Sequence, residues 1–201
     1  MIAVITGDIV NSQKEHAETW LKSLKNLLAS WSETPETWEV YRGDEFQVKC
    51  SREEALWKAV AIKSLINTHE NLDVRLAIGI GDEDFKSEKI TESNGSAYVN
   101  SGRLLSEIKE DHRNLAIATP DAQLNEDLNL LFKWTLLDFD NWSAVSAEII
   151  HMLTQEPNIS QEQAAQKLSI SQSSVSQRLK RANFDLLLET DRYFRKKITQ
   201  L

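Results

Sequence analysis

Trp38-Glu39-Val40-Tyr41-Arg42-Gly43-Asp44-Glu45-Phe46-Gln47-Val48 reads as strand, tight turn and strand, which predicts a β-hairpin turning at Arg42-Gly43-Asp44-Glu45. Toward the N-terminus, Ile2-Ala3-Val4-Ile5-Thr6 has the pattern of a strand buried on both faces. It runs on into Gly7-Asp8-Ile9-Val10-Asn11-Ser12. Both segments place a Gly-Asp step where an apolar strand meets a turn.

The elements around these two segments follow from periodicity. Between Lys14 and Trp31, the apolar residues Ala17, Trp20, Leu21, Leu24, Leu27, Leu28 and Trp31 recur at three- and four-residue steps, which predicts an amphipathic helix. A second helix is expected from about Arg52 to Glu70, with Ala55, Leu56, Ala59, Ile62, Leu65 and Ile66 on one face. Asp73 to Gly81 reads as a strand ending in glycine, followed by a charged loop and a helix from about Gly95 to Glu110. Leu115 to Thr119 is a short strand stopped by Pro120, and Asp121 to Asp140 suits either helix or short strand. From Asn141 the pattern is helical, with Ser160 as N-cap and Gln163 completing a capping box. This order predicts an α/β (α+β) layer packing over residues 1–140 and a small all-α domain over residues 141–201.

Composition narrows the class. The 201 residues contain no apolar run near the ~18 that a membrane span needs, and the first residues lack a signal-peptide pattern, so no membrane partner and a cytoplasmic location are expected. The single cysteine, Cys50, rules out an internal disulfide. The four histidines, at 16, 69, 112 and 151, lack metal-ligand spacing. The net charge of −8 argues against a protein that coats nucleic acid indiscriminately, but it is unevenly distributed. Residues 1–155 carry 15 Lys/Arg against 26 Asp/Glu, whereas residues 156–201 carry 8 against 5. An acidic body with a basic end suggests two tasks in one chain.

Asp8 and Asp44 are the candidate catalytic and metal-binding carboxylates. Mg²⁺ typically takes one or two carboxylates and completes its shell with phosphate and water, and the carbonyl of Ile9 is a further candidate ligand. Gly7 and Gly43 leave room for phosphate to approach the backbone. Gly7-Asp8-Ile9-Val10 resembles the metal-binding end of the first strand in class III nucleotide cyclases. Arg42-Gly43-Asp44-Glu45-Phe46 resembles the Gly-Gly-Asp-Glu-Phe hairpin signature of diguanylate cyclases, with Arg42 in place of the first glycine. Arg75 to Gly81 resembles a later strand of both groups, and Gly95-Ser96-Ala97-Tyr98-Val99-Asn100 resembles the Gly-x-x-Val-Asn start of a cyclase helix.

Over roughly residues 1–120 the resemblance implies a ferredoxin-like palm with an antiparallel sheet and flanking helices. It also implies Mg²⁺ and a nucleoside triphosphate as ligand or substrate; Gly7, Asn11, Ser12, Gly43, Glu45, Asn100 and Arg103 are the candidate nucleotide-binding residues, although Asn11-Ser12 departs from the Phe-Thr that follows the first aspartate in many cyclases. The spacing departs at one point. Arg103 follows Asn100 by three residues where cyclases have four, a splay of about 60° around a helix. The whole chain resembles the SatD family of bacterial proteins.

Gln161 to Leu179 fits two short helices joined by a turn, with Leu168, Ile170, Val175 and Leu179 spaced to pack them together and Ser171 as a cap. The run resembles the DNA-binding helix-turn-helix of sigma factors, with Ser169 where glycine is usual. The resemblance implies that Gln172, Ser173, Ser174, Gln177 and Arg178 face base edges while Lys167, Lys180 and Arg181 hold phosphates. Beyond Ala182 the helix is expected to continue, with Leu186, Leu187, Tyr193, Phe194 and Ile198 apolar, closing the domain or pairing with a second copy as a homodimer.

The combined expectation is a regulator that binds double-stranded DNA and carries a nucleotide- and Mg²⁺-binding palm. Two alternatives stand beside it: an active nucleotidyl transferase or cyclase, and a DNA-binding protein whose palm is only a dimerisation scaffold.

Overall fold

A computed structural model describes residues 1–201. Five strands form one sheet: β1 (Ile2–Val10), β2 (Trp38–Tyr41), β3 (Glu45–Cys50), β4 (Asp73–Gly81) and β5 (Leu115–Ala118), in the spatial order β2-β3-β1-β4-β5. The helices are α1 (Ala17–Trp31), α2 (Ala55–Ile66), α3 (Ser96–Glu110), α4 (Ala122–Phe139), α5 (Ala144–Gln155), α6 (Gln161–Leu168), α7 (Gln172–Arg181) and α8 (Phe184–Ile198).

β1 lies at the centre and is buried on both faces, as its apolar run requires. It pairs antiparallel with β3 and with β4, while β2 and β3 form the hairpin. The expected all-antiparallel sheet is corrected at one edge. β5 runs parallel to β4 because α3 crosses back over the sheet between them, so the sheet is mixed.

One face of the sheet carries Ala3, Ile5, Ile9, Phe46, Val48, Leu76, Ile78 and Ile80 against α1 and α2. The other face carries α3. A Cβ on Gly79 would lie 2.2 Å from the Ala97 carbonyl oxygen, and one on Gly81 would lie 2.3 Å from Ser96 Oγ. These glycines therefore let α3 lie directly on β4, which fixes what each end of α3 can reach.

The stretch between Asp121 and Asp140 is the helix α4, capped by Asp121, whose side chain accepts from the Leu124 amide. Its apolar pattern is broken by asparagines used against the sheet edge. Asn129 accepts from the Ile117 amide at 3.0 Å and donates to the Ile117 carbonyl at 2.8 Å. Asn125 does the same at Thr119, at 2.7 and 3.0 Å. Two side-chain amides thus stand in for a missing neighbour strand and close the β5 edge.

Residue 140 does not interrupt the core. One continuous apolar cluster runs from Ala3 and Leu24 through Leu56 and Phe132 to Ile150, Val175, Phe194 and Ile198. α5 and α8 cover α2 from the side away from the sheet, so α2 is buried nearly all round rather than along one stripe. Within it, Lys63 is 1% exposed, and its ammonium reaches Asp73 Oδ1 and Asp140 Oδ1, each at 2.7 Å. Asn114 donates to both carboxylates, at 2.9 and 3.1 Å.

The last helical stretch differs from expectation. At Asn183 the backbone adopts a left-handed conformation (φ 45°), ending α7 and starting α8 instead of continuing one helix.

Candidate functional site

The Gly-Asp steps meet at one end of the sheet. β1 pairs Asp8 with Glu45 on one side and with Arg75 on the other. The Ile9 amide donates to the Asp44 carbonyl at 3.1 Å, which fastens the hairpin turn to the end of β1. The turn requires left-handed backbone at Arg42 (φ 52°) and Gly43 (φ 89°), and glycine is suited to the second. After β1, Asn11 also adopts φ 62° and redirects the chain into a short 3₁₀ turn, Ser12–Lys14.

Asp8 points to the α3 side and is 8% exposed. Arg75 Nη1 lies 3.2 Å from Asp8 Oδ2, and Lys109 Nζ, from the last turn of α3, lies 3.6 Å from the same oxygen. Lys109 also reaches Glu45 Oε1 at 3.0 Å, and Glu45 faces Arg42 at 3.7 Å. Asp8 Oδ1 and Arg75 Nε are both buried without hydrogen-bond partners. Burial holds the Asp8 carboxyl above its ordinary value of 3.8, outweighing Lys109 and Arg75, which pull it down.

Asp44 turns toward the 3₁₀ segment, where Ser12 Oγ donates to its Oδ2 at 2.7 Å. A shallow groove of about 420 Å³ opens there, lined by Ile9, Val10, Asn11, Ser12, Lys14, Asp44 and Arg75 among others. Arg75 thus touches Asp8 and also lines the groove that holds Asp44. No group of three or more His, Cys, Asp or Glu side chains is arranged to hold a metal ion, so a cation here would draw on Asp8, Asp44 and whatever oxygens its ligand brings.

Several expected site residues serve other ends. The space in front of Gly7 is taken by protein, since an added Cβ would lie 2.4 Å from Phe46 Cζ. That glycine admits a core ring rather than a phosphate. Gly43 has open space around it. Asn11 donates to the Asn71 carbonyl at 3.3 Å.

Asn100 and Arg103 do not reach Asp8. Asn100 donates to the Ile80 carbonyl at 3.3 Å, and Ile80 lies opposite Ala3, five strand positions from the Asp8–Arg75 pair, or about 17 Å away. Arg103 points to solvent and pairs with Glu107 at 3.4 Å. Because α3 starts over Gly81 and ends beside Asp8, its first turns lie at the far end of the sheet. Sequence reasoning missed Arg75 and Lys109 as site residues. The signal for Arg75 was an arginine set between Val74 and Leu76 inside an apolar strand run. Lys109 had none, because it reaches the site only through the length and tilt of α3.

A second candidate surface lies on α6 and α7. The capping box at Ser160 and Gln163 is formed, Ser171 caps α7, and Ser169 takes the left-handed turn position (φ 53°). Gln172, Ser173, Gln177, Lys180 and Arg181 are exposed and Ser174 is half-buried. Two expected DNA contacts are engaged within the chain. Arg178 Nη1 reaches Glu148 Oε2 at 2.8 Å, and Lys167 Nζ reaches Glu156 Oε1 at 2.5 Å.

No helix is long and apolar enough to cross a membrane. The family model described as the SatD family matches residues 1–198. No curated protein matches the chain, and no solved structure does.

Proposed function

The chain belongs to the SatD family, and from that premise we propose that it is a DNA-binding regulator whose sheet end at Asp8 and Asp44 takes a nucleoside triphosphate together with Mg²⁺. The observation that carries this reading is the buried, unpartnered Oδ1 of Asp8, set between Arg75 and Lys109 and one hydrogen bond away from the Asp44 turn. A buried carboxylate oxygen without a donor is costly, and a bound cation would satisfy it. The same few residues supply both signs of charge. Asp8 and Asp44 suit a cation, while Arg75, Lys109 and Lys14 suit phosphate oxygens. Bound Mg²⁺ would neutralise the triphosphate; the chain's own residues would orient it along the groove beside Ser12.

Topology supports a ferredoxin-like palm. The order β2-β3-β1-β4, with α1 before the hairpin and α2 after it, is that of a split β-α-β sheet. The α6–α7 pair supports the DNA reading, with Gln172, Ser173, Gln177, Lys180 and Arg181 presented outward. The continuous core from β1 to α8 gives nucleotide occupancy a physical route to α7.

Cyclisation is the less favoured chemistry, because Asn100 and Arg103 lie far from Asp8 along the sheet. A scaffold reading is favoured by one observation: Asp8 is already neutralised by two cations. Calorimetry with ATP and GTP, with and without Mg²⁺, separates these readings. Mg²⁺-dependent heat that disappears in Asp8→Ala and Asp44→Ala supports the proposal. No heat with either nucleotide leaves the scaffold reading. Pyrophosphate release with a cyclic or linked product would establish an enzyme instead.

A further inference from the structure

α4 and α8 lie side by side and antiparallel. Phe132 stacks near Phe194 at a centroid distance of 6.2 Å, and Asn183 donates to Asp138 at 2.8 Å. Each helix exposes large apolar side chains. Leu130, Trp134 and Leu137 line one face of α4 at helical spacing, with Trp134 68% exposed. On α8, Leu186 and Tyr193 stand seven residues apart on the exposed face. Trp134 and Leu186 line one groove of about 280 Å³, so the exposed apolar residues of the two helices meet there. Contiguous exposed apolar surface of this kind marks an interaction site.

The charges beside the patch say what covers it. On the exposed face of α8, Asp185 and Glu189 occupy the N-terminal half and Arg192 and Lys196 the C-terminal half, and none of the four is in an ion pair within the chain. Each half places like charges four residues apart, which is mildly unfavourable in a lone helix. The helix macrodipole favours these signs at these ends, but it does not account for Leu186 and Tyr193 exposed between them. A second α8 laid antiparallel about a two-fold axis near Glu189 and Thr190 puts Leu186 opposite Tyr193 of the second copy. In that register Asp185 falls level with Phe194 of the second copy, between its Arg192 and Lys196, and Glu189 falls two residues, or about 3 Å along the axis, from its Arg192. The face is self-complementary in both shape class and charge, as an isologous interface requires.

We propose that the protein forms a two-fold homodimer through α8, with Trp134 and its α4 neighbours as the apolar flank. The proposal is independent of the nucleotide reading. The dimer carries two copies of α7 related by the same axis, an arrangement that matches paired half-sites on a duplex.

Sedimentation equilibrium on the full chain tests this with two charge-reversed variants, Arg192→Glu/Lys196→Glu and Asp185→Lys/Glu189→Lys. Wild type is expected to be dimeric, and each variant alone should associate about 100-fold more weakly, because like charges then face one another. An equimolar mixture of the two variants should recover the dimer, since acidic and basic faces again meet. A wild-type protein that stays monomeric up to about 100 µM overturns the proposal. So do variants that dimerise as wild type does, or a mixture that fails to recover.

Discussion

Arg75 Nη1 lies 3.2 Å from Asp8 Oδ2 across the β1–β4 pairing, and it leaves the second Asp8 oxygen buried without a donor. The pair is therefore incomplete: a cation is present, yet half of the carboxylate remains unsatisfied. Burial raises the carboxyl above 3.8 against the pull of Lys109 and Arg75. The folded state therefore binds this proton more tightly than the unfolded chain does. The stability from this group is present below 3.8 and lost as the pH rises through the raised folded value. Once ionised, the group is a local cost that a bound cation would relieve. Carboxyl-carbon NMR titration should give Asp8 a value above 3.8 in the free protein and a lower one with Mg²⁺ and nucleotide. An unchanged titration on saturation would contradict the assignment.

Lys63 ties β4 to the end of α4. Its ammonium is buried between Asp73 and Asp140, which are themselves partly exposed. Lys63→Ala leaves the Asp73 and Asp140 carboxylates facing each other with Asn114 as their remaining shared donor, and should lower stability by about 3 kcal/mol in urea unfolding. Because the core is continuous past residue 140, tryptophan fluorescence and far-ultraviolet circular dichroism should report one coincident transition in wild type. Two separated transitions would show that the C-terminal helices fold on their own.

His151 on α5 gives the fold a sensitivity to mild acid. Burial lowers its pKa below 6.5, only partly offset by the Ala61 backbone beside it, and its Nδ1 is buried without a partner. Its contribution to stability is present above 6.5 and lost as the pH falls toward the lowered folded value, by up to about 1.4 kcal/mol per pH unit. His151→Leu should flatten that part of the stability profile. An equal slope in the variant would assign the acid sensitivity to another group.

The DNA reading predicts opposite effects from two changes on and beside α7. Lys180→Ala/Arg181→Ala should weaken retention of duplex DNA and reduce the salt slope by about two, since each residue would neutralise one phosphate. Glu148→Gln should strengthen retention by releasing Arg178 from its 2.8 Å ion pair. Gel-shift titrations at several salt concentrations measure both. Unchanged affinity in both variants would remove α7 as the contact helix.

Much of the sheet and its flanking helices was legible because the signals are local. β4 and α3 begin and end where the apolar run and Gly95 place them, and the Arg42–Asp44 turn carries its own glycine. α4 was ambiguous because Asn125 and Asn129 interrupt its apolar stripe to bond the β5 edge, a use visible only once the sheet exists. The burial of Lys63 and the all-round burial of α2 depend on α5 and α8, which arrive far along the chain. At the site, the carboxylates were legible as Gly-Asp steps. Their cations were not, because Arg75 and Lys109 meet Asp8 only through sheet register and the crossing of α3. The break at Asn183 was hidden inside a continuous helical pattern, with no glycine or proline to mark it.

The claim that a metal–nucleotide pair sits between Asp8 and Asp44 is tested most directly by paramagnetic broadening. Substoichiometric Mn²⁺, added with a non-hydrolysable triphosphate to isotope-labelled protein, should broaden the amide signals of Asp8, Ile9, Asp44 and Glu45 before others. That pattern should vanish in Asp8→Asn/Asp44→Asn. The claim is contradicted if those signals keep their widths, or if they broaden equally in the variant.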